Sequence, residues 1–140
     1  MAYEVKHDCA GVDWEAVSET LKLVGMAYYA PDVQRRAFEA SHTTVFVYHQ
    51  GRLVGFGRAI SDGAYQAAIY DCAVVPELQG KGIGNLIMKN IMRPISHCNV
   101  ILYASPGKEG FYQKHGFRRM VTGMAHFKNA ASMKERGFTE

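Results

Sequence analysis

The chain has 140 residues, 48% hydrophobic and 21% charged. That is enough for a full core in one domain and excludes a disordered, charge-rich polymer. No apolar run approaches the roughly 18–20 residues of a membrane span, and the N-terminal stretch (Tyr3, Glu4, Lys6, His7, Asp8) has no signal-peptide apolar region, so no membrane partner is expected. Three cysteines (Cys9, Cys72, Cys98) without CxxC spacing argue against a disulfide framework or a thiolate zinc site. The expected compartment is the reducing cytoplasm, and six scattered histidines without HxxxH or HExxH spacing give no metal site.

The net charge of +3 is unevenly spread: residues 1–80 carry 6 Lys/Arg against 10 Asp/Glu, and residues 81–140 carry 10 against 3. Such asymmetry suits a chain that presents one end to a polyanion and the other to a cation. The basic residues form no dense stripe interleaved with aromatic side chains, so nucleic acid is not the expected partner. Glycine stands out at 14 of 140 residues, above the roughly 7% of average usage.

In chain order, Tyr3–His7 reads as a first strand. Asp13 caps a helix whose face is Trp14, Val17, Leu21 and Val24, and Gly25 ends it. An aromatic loop with Tyr28 and Tyr29 follows, and Pro31-Asp32 opens a second helix over about 33–40. A β-meander comes next: Thr43–His49, a tight turn at Gln50-Gly51, Leu53–Ile60, a turn at Asp62-Gly63, and Ile69–Val75. The last of these is apolar on both faces and reads as central.

Pro76 ends that strand, and a glycine-rich turn leads into a helix over about 83–92, stopped by Pro94. Val100–Ala104 reads as a buried strand. Glu109–His115 reads as a short helix closed by Gly116, followed by hairpin strands over about 117–121 and 124–128. The fold class is therefore mixed α/β: a single domain over 1–140 with a mostly antiparallel sheet of about seven strands and about four helices.

The stretch Gln79-Gly80-Lys81-Gly82-Ile83-Gly84-Asn85 places three glycines within five residues between a strand and a helix. Such a turn exposes backbone N–H groups at the positive end of a helix dipole, a surface suited to phosphate, and Lys81 adds a cation. It is not a P-loop, because neither Gly80-Lys81 nor Gly107-Lys108 is followed by Ser or Thr. It is not a Rossmann fingerprint, because position 85 is Asn and the preceding strands form a meander. The bland alternative is that the glycines serve only a tight turn and close helix–sheet packing.

Gln79–Gly84 resembles the Q/R-x-x-G-x-G/A motif of the GNAT superfamily of acyl-CoA-dependent N-acyltransferases. Asp71-Cys72-Ala73-Val74-Val75-Pro76-Glu77 is similar to that family's central strand, and Gly110–Phe117 to its second conserved segment. The order of elements also fits, over nearly the whole chain. The absence of Asn after the strand ending at Ala104, replaced by Ser105-Pro106-Gly107, resembles a branch with plastid serotonin-type and small bacterial N-acetyltransferases.

The resemblance implies a sheet splayed at an acetyl-CoA cleft. The amides from Gln79 to Asn85 (Gly80, Lys81, Gly82, Ile83 and Gly84 between) would hold the coenzyme pyrophosphate. The backbone of Cys72, Ala73 and Val74 would pair with pantetheine, with an N–H near Val74 on the thioester oxygen. Ser105, Phe111, Tyr112 and Lys114 would complete the coenzyme site, with Ser105 in the place of the missing Asn and Lys108 or Lys114 at the 3′-phosphate.

Tyr112 matches the family's general acid, since a phenol with a pKa near 10 can protonate a departing thiolate; the alternative is that Phe111 and Tyr112 are both core aromatics. Asp71 is the leading candidate to take the amine's proton, being the only carboxylate in its strand, or else a structural carboxylate tied to a neighbouring loop. Strand alternation sets it opposite Tyr70 and Cys72 unless a β-bulge intervenes. Tyr70 and His126 are weaker base candidates, and Tyr28 and Tyr29, with Tyr70, are candidates for lining the acceptor pocket, a place in the core being the equal alternative for Tyr28 and Tyr29.

The expected function is transfer of an acetyl group from acetyl-CoA to a small primary amine by direct attack, without metal or covalent intermediate. Family members often pair as homodimers. The alternative is a catalytically silent acyl-CoA-binding sensor or scaffold, which would not need a tyrosine at 112 paired with a carboxylate at 71.

Overall fold

Asp13 opens the first helix as its side chain suggests. In the computed structural model, which describes residues 2–140, the Asp13 carboxylate accepts from the Ala16 amide (3.1 Å) at the start of α1, Trp14–Leu23. Helix α1 ends in a Schellman pair, Gly25 N–H to Lys22 C=O and Met26 N–H to Leu21 C=O. Helix α2, Pro31–Glu39, starts on the proline at its first turn. The chain forms two compact units, one ending at Leu102 and the other covering Tyr103–Glu140.

The first unit carries a five-stranded mixed sheet in the order β1-β2-β3-β4-β5. Strands β1 (Glu4–Lys6), β2 (Thr43–His49), β3 (Arg52–Ser61) and β4 (Gln66–Val74) pair antiparallel in sequence order. Helix α3, Ile83–Met92, is the crossover that lets β5, Asn99–Ile101, pair parallel with β4. The β3–β4 turn is locked by Asp62, whose carboxylate accepts from the amides of Tyr65 (2.9 Å), Ala64 (2.8 Å) and Gln66 (3.1 Å). Those donors hold its carboxyl below the usual carboxylate range.

Both sheet faces are covered. On one, Val17 and Leu21 of α1 and Phe38 of α2 pack with Phe46, Leu53, Phe56 and Ala73. Phe38 centres the aromatic contacts, with ring centroids 5.5 Å from Trp14, 5.6 Å from Phe46 and 6.0 Å from Phe56. On the other face, Ile83, Ile87 and Ile91 of α3 lie directly on β3 where it has no side chains. A Cβ at Gly57 would stand 2.7 Å from Ile91 Cδ1 and 2.8 Å from Cys72 Sγ, and one at Gly55 would stand 2.9 Å from Ile83 Cγ2. Gly57→Val is expected to lower stability by about 1–3 kcal/mol through overpacking, read from urea denaturation; unchanged stability would mean that α3 yields freely.

The second unit departs from expectation. Residues 117–121 and 124–128 are not strands, which leaves five strands among the described residues in place of about seven. Val121 and Met124 are 96% and 95% exposed, and a hairpin with no covered apolar face is not stable in water. The strand expected over 100–104 is the shorter β5 and is not buried: Ile101 at its end is 49% exposed. Helix α4, Glu109–Lys114, forms as expected, and an unforeseen helix α5, Ala130–Glu135, is capped by Asn129, which accepts from the Ser132 amide (3.3 Å). Tyr103 joins this unit's ends through ring contacts with Phe127 (5.4 Å) and Phe138 (5.9 Å).

Candidate active site

Strand β4 pairs with β3 along one edge and meets another strand over only three residues on the other. Strand β5 meets it only at Gln66↔Asn99, Ala67↔Val100 and Ala68↔Ile101. Among the described residues no strand continues that pairing along Ile69–Val74. Val75 donates its N–H to Val54 C=O across to β3 (2.9 Å). Strand alternation therefore aims the Val74 N–H and C=O at the open edge, where the C=O accepts from Gln79 Nε2 (3.2 Å).

Beyond that edge the chain makes a 3-10 turn, Pro76–Leu78, and then the glycine turn. Gly80 (φ 78°) and Gly82 (φ 87°) are left-handed, and a Cβ on either would meet nothing within 4 Å. These two glycines are not demanded by packing. The close-packing role belongs to Gly55 and Gly57. Gly82 caps α3 without a side-chain partner, and the first helical bond is Leu86 N–H to Gly82 C=O (3.1 Å). The amides at 83–85 thus precede the helical ladder, at the positive end of its dipole. Lys81 and Gln79 are exposed beside them.

The β3–β4 register slips between Phe56↔Ala73 and Arg58↔Tyr70. Asp71 and Cys72 together oppose Gly57, and Asp71 is left-handed at φ 57°: a β-bulge. It brings the Asp71 carboxylate to the face of Tyr70, where Arg58 Nε donates to Asp71 Oδ2 at 2.7 Å. The Arg58 Cζ lies 5.4 Å from the Tyr70 ring centroid. Cys72 points the other way, under α3 beside Gly57.

A strand splayed from its neighbour, bulged at its middle and ending in an amide-rich turn is the arrangement the sequence resemblance implied. A family model described as an acetyltransferase (GNAT) domain matches residues 15–130. The chain belongs to the GNAT acetyltransferase family. These are acyltransferases that use acetyl-CoA as cosubstrate.

Among the relatives of this GNAT chain, serotonin N-acetyltransferase 2, chloroplastic, of Oryza sativa subsp. japonica is 31% identical over 137 residues, covering 91% of this chain and 68% of that protein. An uncharacterised N-acetyltransferase of Porphyra purpurea is 30% identical over 118 residues, covering 82% of this chain and 63% of its own length. The chain thus spans about two thirds of these relatives. A solved Staphylococcus aureus protein described as a probable acetyltransferase superposes with a TM-score of 0.81 at 28% identity, covering 91% of this chain and 99% of that one.

Of the residues singled out from the sequence, Cys72–Val74 and Gln79–Asn85 come together along the open edge and its turn in the first unit. Ser105, Phe111, Tyr112 and Lys114 belong to the second. There Ser105 C=O accepts from the Lys108 amide (2.9 Å) ahead of α4. Tyr112 is half-buried on α4, its ring 5.1 Å from Phe111 and 6.1 Å from Phe117 in edge-on contacts. The amides of Glu109 and Gly107 hold the Glu109 carboxyl below its usual range at the start of that helix. Lys114 is exposed.

Tyr28 and Tyr29 are 51% and 58% exposed and so are not core residues. The loop carrying them is fixed by backbone contacts: Ser18 Oγ donates to Tyr29 C=O (2.7 Å), and Tyr29 N–H donates to the buried Gln34 Oε1 (2.9 Å). Glu77, next to the turn, is taken by Arg52, whose guanidinium keeps its carboxyl below the usual range. Arg58 was not singled out from the sequence. Its signal is a lone cation inside the otherwise apolar run Val54–Ile60, one meander turn before the lone carboxylate of the next strand.

Burial pushes the Cys72 thiol up to about 12, with the neighbouring Asp71 charge adding to the effect. At pH 8 this leaves far less thiolate than in an ordinary thiol with pKa near 8.5, a deficit only partly offset by the greater intrinsic nucleophilicity of a more basic thiolate. Iodoacetamide is expected to label Cys72 at least about 50-fold more slowly than a solvent-exposed model thiol, followed by peptide mass spectrometry. Equal rates would contradict the covered position of this side chain.

Proposed function

We propose that this GNAT acetyltransferase transfers the acetyl group of acetyl-CoA to a small primary amine by direct attack, with residues 1–140 acting as one N-acetyltransferase domain. The observation that carries this reading is the open β4 edge running straight into the left-handed Gly80–Gly82 turn at the N-terminus of α3. The donor set fits a pyrophosphate, because the turn offers backbone N–H groups, a helix dipole and the cation of Lys81 around a space that any Cβ at 80 or 82 would enter.

Acetyl-CoA supplies an activated acyl group when bound. The amides from Gly80 to Asn85 hold its phosphates, and the backbone of Cys72–Val74 lines the edge where an extended amide chain can pair. The Val74 N–H is the donor aimed at that edge and stabilises negative charge developing on the acyl oxygen. Tyr112 delivers a proton to the departing sulfur. The amine sheds a proton before it attacks, and Asp71 is the carboxylate that β4 offers for it.

Exposed Tyr28 and Tyr29 at the loop between α1 and α2 favour an aromatic amine acceptor. The three free cysteines suit a reducing compartment, cytoplasmic or plastid alike. Thiol release from acetyl-CoA against a panel of aromatic monoamines, polyamines, amino sugars and amino acids tests the reading. Turnover with at least one amine is expected. Tight coenzyme binding with turnover on none would favour a silent acyl-CoA-binding module.

A further inference from the structure

Arg58 and Asp71 form the one ion pair among the described residues whose partners are both largely covered, at 15% and 20% exposure. An arginine in the middle of β3 is costly unless its donors are occupied. Here Nε donates to Asp71 Oδ2 (2.7 Å) and Nη1 to Ser41 Oγ (3.3 Å). The guanidinium carbon sits 5.7 Å from the Phe38 ring centroid and 5.4 Å from that of Tyr70. Ser41 in turn donates to Ala37 C=O (2.8 Å) in α2. One side chain thus ties β3, the bulge of β4 and the end of α2 together.

We infer that Arg58 is a positioning residue of the transfer reaction: by gripping Asp71 against β3 and α2, it holds the bulge that presents the Val74 N–H at the open edge of β4. A left-handed non-glycine residue persists only where its surroundings impose it, and the Arg58 fork is the contact on Asp71 that does so. The bulge adds one residue to β4. If Asp71 relaxed to the extended conformation, alternation downstream would shift by one, and the Val74 N–H would turn from the open edge towards β3. The pyrophosphate turn is anchored separately, by α3. Loss of Arg58 therefore strikes the chemistry harder than coenzyme binding. Lysine does not reproduce it, because a compact ammonium lacks the planar fork that reaches Asp71 through Nε and Ser41 through Nη1 and stacks near the rings of Phe38 and Tyr70.

The inference rests on the proposed acyl transfer for its kinetic arm only, so two readouts separate the failures. In the first, Arg58→Met and Arg58→Lys are assayed with the best amine and titrated with coenzyme A. The turnover number kcat should fall about 10- to 100-fold, the scale of a misplaced catalytic group, while the Kd for coenzyme A rises by less than kcat falls, because the phosphates stay on the turn held by α3 even as the pairing along Cys72–Val74 shifts. The Arg58→Met/Asp71→Asn double variant should be no worse than the poorer single one, since the pair acts as a unit. In the second, backbone carbon shifts report whether Asp71 stays left-handed, and cross-strand amide contacts report the Phe56↔Ala73 register. Both should change in the variants, and this arm stands even if the wild type turns over no amine. If Arg58→Met does not fold, Arg58→Lys, which keeps the charge, carries both arms. Wild-type kcat in either variant, a retained left-handed Asp71, or additive losses in the double variant would overturn the inference.

Discussion

Tyr112→Phe is expected to lower kcat by roughly 10- to 1,000-fold, the range lost when a general acid is removed, while coenzyme A binds within about threefold of wild type. Phenylalanine keeps the ring, so the edge-on contacts with Phe111 and Phe117 that seat it on α4 survive, as do the backbone bonds that close the helix. His115 N–H and Phe117 N–H both donate to the Tyr112 C=O, at 2.9 and 3.1 Å. What is lost is the phenolic hydroxyl and the proton it can give. A thiolate can leave unprotonated into water, which is why the expected loss is bounded rather than complete. Thiol release under saturating coenzyme and amine, paired with calorimetric binding of coenzyme A, measures both halves. Unchanged turnover would remove Tyr112 from the mechanism. An equal loss of binding and turnover would make it a coenzyme contact instead of an acid.

The candidate site was legible in the sequence where backbone shapes it and obscure where side chains do. Glycines at 80 and 82 between a strand and a helix announce an amide-lined turn, because few other uses need two left-handed residues there. Their count alone could not separate that turn from close packing. The structure assigns packing to Gly55 and Gly57, which look unremarkable in a strand pattern but lie under Ile83, Ile87 and Ile91. At Asp71 strand parity holds only in the absence of a β-bulge, an exception the sequence allows and the structure contains; what the sequence did not show is its partner, Arg58, 13 positions away on the neighbouring strand. The predicted hairpin after Gly116 failed because alternation was credited to residues with no face to cover, as the exposure of Val121 and Met124 shows. Helix α5 was missed although Asn129 is a good cap ahead of helix-forming Ala130, Ala131, Met133, Lys134 and Glu135.

The contrast between the two kinds of glycine gives the second large effect. Gly82→Val is expected to raise the Kd for coenzyme A by about 100-fold or more, with the fold retained. Valine at φ 87° carries left-handed strain of about 1–2 kcal/mol. The turn can relieve it only by rotating the peptides on either side, which swings their N–H groups away from the phosphate. Losing two amide bonds to a charged oxygen, at about 1.5–3 kcal/mol each, exceeds the 2.7 kcal/mol or so that corresponds to 100-fold. The added side chain also projects into space empty of protein atoms, where the ligand has to fit. Because nothing packs there, rotation of the turn's own peptides relieves much of that strain, and the melting temperature should fall less than in Gly57→Val, where the isoleucines of α3 are displaced while the turn's amides keep their conformation. Measured side by side, one variant should lose binding and keep most of its stability, and the other should lose stability and keep its binding when folded. Coenzyme affinity within threefold of wild type in Gly82→Val would show that the phosphates are held elsewhere, and the glycine turn would revert to a device for reversing the chain.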